Sequence, residues 1–143
     1  MIDPIKIAEL LVIASQLSGR PAPADIRPPA VYELTAQQMA DEMCQGKTDE
    51  CDILGYYADD EKIFVRDDGG AHVSKNSIIV HELVHWLQQH NDFGGFSYPH
   101  NYSREMQAYF VQTLYIVKIE HKPDPSIRPP ESLCAPVYII RLR

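Results

Sequence analysis

No stretch of this chain is long and apolar enough to cross a membrane. The longest apolar run near the N-terminus, Leu10 to Ala14, falls far short of the roughly 20 residues that a bilayer helix needs. A basic excess is missing as well. Lys and Arg number 13 against 20 Asp and Glu, for a formal net charge of −7, whereas phosphate backbones select a basic face; nucleic acid is not an expected partner. There is no internal repeat, which removes stacked-repeat architectures. Cysteine is scarce at three residues. Cys44 and Cys51 enclose a polar segment, Gln45 to Glu50, that a disulfide can staple, with Cys134 left over. Three free thiols in a reducing compartment are the even alternative.

What is present is ordinary for a soluble globular protein: 143 residues, 45% hydrophobic and 23% charged. That length fits a single domain over 1–143 with a sizeable core. Residues 1–20 carry Lys6, an apolar run and, just beyond, Ala22-Pro23-Ala24, in the manner of a leader peptide. Glu9 interrupts the run and Asp3 sits where a leader is basic. The preferred reading is an amphipathic helix from Asp3 to about Leu17, ended by Ser18-Gly19, with Ile2, Ile5, Ile13 and Leu17 among its core positions. Residues 21–30 form a Pro-rich, extended crossing. Val31 to Leu34 is a short strand, and Thr35-Ala36-Gln37-Gln38 is a capping box that opens a helix to about Cys44. Gly55–Ala58 and Lys62–Arg66 flank Asp59-Asp60-Glu61 as a β-hairpin. In the C-terminal tail, 120–143, the run Val137 to Ile140 either adds a strand or lies over a cleft as a plug.

One segment carries chemistry. His81-Glu82-Leu83-Val84-His85 reads H-E-x-x-H. Positions i and i+4 share one face of a helix, so two imidazoles can close on one Zn²⁺ while Glu82 reaches a water beside it. Ser77 to Gln89 has no Gly or Pro, and Ile79, Val80, Leu83, Val84, Trp86 and Leu87 spread apolar surface nearly all round it. The helix should therefore be buried. Buried His and Glu need partners, which a metal and its water supply together; a metal-free helix with two hydrogen-bonded His is the bland alternative.

A third ligand is at hand in Glu105, on a helix expected to start at an N-cap Ser103 and run to about Ile119. Glu105, Ala108, Tyr109 and Gln112 share one face of it, and the small Ala108 allows close approach to the first helix. A carboxylate in a first turn can also serve the helix dipole alone. The class H-E-x-x-H-x-x-G-x-x-H is excluded, because Gln88 and Asn91 stand where it needs Gly and His; His90 is one residue off and should face away. A deformylase-type site needs a Cys in a Gly-Cys-Leu context, which neither Cys44 nor Cys51 has.

His81, Glu82, His85 and Glu105, with the spacing between the last two, resemble the gluzincin group of zinc metallopeptidases over roughly residues 56 to 119. The strings His-Glu-Leu-Val-His-Trp-Leu-Gln and Arg-Glu-Met-Gln-Ala-Tyr also resemble a group of small bacterial proteins with a metallopeptidase core. The resemblance implies an α+β, minimal zincin-like fold: a small, mostly antiparallel sheet packed on a buried H-E-x-x-H helix, with a second helix carrying the Glu ligand. It implies one catalytic Zn²⁺ held by His81, His85 and Glu105, and hydrolysis of a peptide or protein substrate. Glu82 would take a proton from the attacking water and pass it to the leaving amine. The chain departs from the large gluzincins in its size and in having Tyr109 four residues after Glu105, so support for a His ligand falls to residues such as Tyr109 or Gln112. The strand Ile63, Phe64, Val65 would border the cleft and pair with an extended substrate, unless it is an ordinary central strand. Tyr98, His100 and Tyr102, between the two helices, are candidate oxyanion donors, with simple packing over the helix ends as the stronger alternative. A Cys134 thiolate blocking the metal is a further, unsupported idea. The rival from another class is a non-catalytic zinc module that binds a protein or peptide partner. The possible Cys44–Cys51 bond favours a secreted or periplasmic location slightly over the cytoplasm. The sequence carries no sign of oligomeric state.

Overall fold

The computed structural model describes residues 1–91, 100–129 and 138–141, the side chains of 100, 101 and 138–141 excepted. Helix α1 spans Pro4–Ser18. The Asp3 carboxylate accepts the Ile5 N–H at its start, Pro4 occupies the first turn, and Gly19, at φ 73°, closes the end by donating to Ser15 O. Its buried face is Ile7, Leu10, Leu11 and Ala14, with Ile13 and Leu17 packed at the margin and Ile2 buried just before it. Ile5, expected in the core, is 70% exposed. The helix is apolar on two sides, and the spacing 7-10-11-14 rather than Ile5 meets the interior.

Strand β1 (Val31–Leu34) leads into α2 (Ala36–Met43), whose capping box forms in full: Thr35 and Gln38 each bond the other's backbone N–H. A disulfide joins Cys44 at the end of α2 to Cys51, just before β2 (Ile53–Tyr57). A tight connection with Glu61 at φ 64° returns the chain as β3 (Ile63–Arg66). Helix α3 (Lys75–Asn91), helix α4 (His100–Leu114) with a π-helical turn (Tyr115–Ile119), and strand β4 (Tyr138–Arg141) complete the order. Helix α4 begins before Ser103, which lies inside its first turns and does not cap it.

The fold is mixed α+β. The sheet order is β1-β3-β2-β4, with β1 parallel to β3 and β2 antiparallel to both β3 and β4. The tail thus adds a strand along β2. Position β3 corrects one expectation: Ile63, Phe64 and Val65 are paired to Val31, Tyr32 and Glu33 on one side and to Tyr57, Tyr56 and Gly55 on the other. Both edges of the strand are used, so it is a central strand with no main-chain edge left for a substrate. On one face of the sheet Val31, Ile63, Val65 and Tyr57 are buried in the core. On the other, Tyr32, Phe64 and Tyr56 stack in a half-buried row, with centroids 5.5 and 4.9 Å apart.

Helix α3 lies between the sheet and the helices α1 and α4. Enclosure on all sides explains why every residue from Ser77 to Gln88 is buried. The approach to the sheet is close at Gly55, where a Cβ would lie 2.7 Å from Ile78 Cγ2. This layering, sheet, α3, then α1 and α4, places the polar residues of α3 opposite those of α4.

Candidate metal centre

One turn of α3 separates His81 from His85, and both rings point towards α4, where Glu105 enters from its own buried face beside Ala108, Tyr109 and Gln112. The fully buried Ala108 has only a methyl group to set between the helices, which lets a carboxylate on α4 reach imidazoles on α3. His81 Nε2 lies 3.1 Å from Glu105 Oε1 and 3.2 Å from His85 Nε2, and His85 Nε2 meets the same Glu105 oxygen. Among the described residues, these three form the one group of His, Cys, Asp and Glu side chains gathered closely enough to hold a metal ion. His90, as expected, faces elsewhere, against Glu61 and the Trp86 ring.

The outer nitrogens are also engaged. His81 Nδ1 lies 2.9 Å from Gln112 Oε1, and His85 Nδ1 lies 2.9 Å from Gln88 Oε1. Gln112, the expected support for His81, is thus in contact with it. Gln88 was not foreseen in that role, although its place three residues after His85 on a helix puts it within reach. Tyr109 meets His81 through its ring edge, with centroids 4.6 Å apart.

Electrostatics follow from burial. Desolvation raises the cost of charge on Glu105, but His85 and His81 outweigh it and bring its pKa to about 2, so it stands as a carboxylate. Desolvation pushes His85 below its ordinary value, and the Glu105 charge pulls against it. Glu82 is fully buried, and neither of its carboxylate oxygens has a hydrogen-bond partner among the described residues; Glu105 Oε2 is likewise unpartnered. Burial, then the Glu105 charge, raises the Glu82 pKa well above 4.5. Orphaned buried carboxylate oxygens are costly, and a cation with its water is the kind of partner that would satisfy them.

Of the candidate oxyanion donors, only the Tyr102 side chain is among the described residues. Tyr102 lies half-buried on α4 in a groove with Met106, Tyr109 and Phe110. Tyr98 and the His100 side chain lie outside the described residues, as does Cys134.

No known protein family, characterised protein or solved structure matches the chain. The functional reading is therefore carried by the geometry of these residues.

Proposed function

We propose that this chain is a zinc-dependent peptide hydrolase, a single minimal zincin-like domain over 1–143. The observation that carries the reading is the convergence of His81 Nε2, His85 Nε2 and Glu105 Oε1 in the core, next to an unpartnered Glu82. Two of the three spacings suit zinc: tetrahedral bonds of about 2.0–2.1 Å set ligand atoms roughly 3.3 Å apart, against 3.2 Å between the two ring nitrogens and 3.1 Å from His81 to Glu105, whereas His85 Nε2 and the same Glu105 oxygen lie closer than two ligands of one ion can and would have to draw apart on binding. His81, His85 and Glu105 would hold the metal with three ligands, which is the number that catalytic zinc sites use. Zinc, when bound, supplies a Lewis acid that acidifies water and polarises a carbonyl. Glu82, whose pKa lies above the ordinary carboxylate range, takes up a proton at its carboxylate and returns it to the leaving amine. Leu83, Val84 and Trp86, all buried, keep the site dry and the helix fixed.

A second reading has its own support. His81, Glu82 and His85 have no exposed surface, which suits a closed zinc module that binds a partner without turnover. A quenched-peptide library separates the two. Chelator-sensitive cleavage that disappears in Glu82→Gln, while that variant keeps its zinc, supports the hydrolase; His85→Ala should lose the metal. Stoichiometric zinc without cleavage in folded protein supports the binder. The Cys44–Cys51 disulfide supports a secreted or periplasmic setting. Among the described residues no helix is long and apolar enough to cross a membrane.

A further inference from the structure

Backbone carbonyls can only accept hydrogen bonds, and two of them fix the polarity of everything bonded to the histidines. The Gln88 amide nitrogen donates to Arg104 O and to Gln107 Oε1, each at 3.0 Å. The Gln107 oxygen is itself fixed as an acceptor, because it receives Arg20 Nε at 2.7 Å and a guanidinium only donates. Gln88 must then turn its oxygen to His85 Nδ1, and that nitrogen must carry a proton. The second chain runs the same way. Ser77 Oγ donates to Ser74 O at 2.8 Å, which leaves it free to accept Gln112 Nε2 at 3.4 Å. Gln112 thus turns its oxygen to His81 Nδ1.

We propose that Gln88 and Gln112 are positioning residues that hold both imidazoles with a proton on Nδ1 and turn both Nε2 atoms towards Glu105, as the pair of atoms that would face a metal. This builds on the metal-centre reading above, while the tautomers themselves stand apart from it. The bonds also cross. Gln88 belongs to α3 and anchors to α4, whereas Gln112 belongs to α4 and reaches back to α3. Each histidine is therefore held by an amide whose orientation depends on the packing of both helices. Both acceptors are neutral, so they orient the rings without adding a buried charge beside Glu82 and Glu105.

The test begins with the chelator-treated wild-type chain labelled with ¹⁵N-histidine. At neutral pH, long-range ¹H–¹⁵N correlations should show Nδ1 protonated in both His81 and His85. An unprotonated Nδ1 in either overturns the proposal. Chelator competition then reads zinc affinity: Gln88→Met and Gln112→Met, which keep volume but lose the oxygen, should bind about 10–100-fold more weakly. Gln112→Glu, which keeps an acceptor, should bind no more weakly than wild type. Wild-type affinity in both Met variants overturns the proposal. If a Met variant does not fold, the nitrogen spectrum of the wild type still decides. If the wild type binds no zinc, the metal reading fails and the spectrum again decides the tautomers.

Discussion

At Glu82 two costs meet: a carboxylate without surface exposure, and oxygens without partners among the described residues. Its raised pKa gives a linkage with a definite sign. The folded protein keeps the proton at pH values where the unfolded chain has released it, so this group's contribution to stability is full below about 4.5 and is lost as pH rises towards the folded value. In the presence of EDTA, Glu82→Gln should therefore be more stable than wild type at pH 8, by roughly 1–3 kcal/mol, and the difference should shrink at pH 5. Urea melts of both proteins at the two pH values check this; a difference independent of pH contradicts it. His81, Glu82, His85 and Glu105 were legible in the sequence because helical spacing alone sets their faces. Gln88 was not, since its role depends on the Arg104 carbonyl and Gln107 of another helix. Nothing local to Gln88 announces those partners.

Among the elements, α3 and the sheet come into close contact at Gly55. An added methyl there would lie 2.7 Å from Ile78 Cγ2 and 3.2 Å from Phe64 O, and Ile78 is about one turn before His81. Gly55→Ala should cost about 1–3 kcal/mol through overpacking and also weaken metal binding by moving α3 relative to α4. Thr35→Ala removes the cap of α2 at about 1 kcal/mol and should leave metal affinity unchanged. Denaturant melts with chelator competition on both variants check the contrast; equal losses of affinity would contradict it. The capping box of α2, the hairpin and the extent of α3 are all visible in short-range pattern. Strand order is not. The parallel docking of β1 on β3 and the antiparallel docking of β4 on β2 are decided by pairings distant in sequence, and the first of them turned the expected rim strand into a central one. Ile5 shows the same limit, because a helix apolar on two sides does not say which side faces in.

For the molecule as a whole, α1, α3, α4 and the sheet enclose a site whose ligands come from two helices, so the site is assembled by folding. A metal that binds only the folded chain stabilises it in proportion to the logarithm of its free concentration, by about 2.7 kcal/mol at one hundred times Kd. The thermal midpoint should rise with added zinc and fall back with EDTA, by scanning calorimetry; an unchanged midpoint argues against a metal bound in the core. The most direct measurement is elemental analysis of the purified chain after equilibration with zinc and desalting, beside His85→Ala and Glu105→Ala variants that circular dichroism shows to be folded. The expected result is one zinc per chain in the wild type and little in either variant. A metal-free wild type, or undiminished zinc in the variants, would contradict the assignment of His81, His85 and Glu105 as a metal centre.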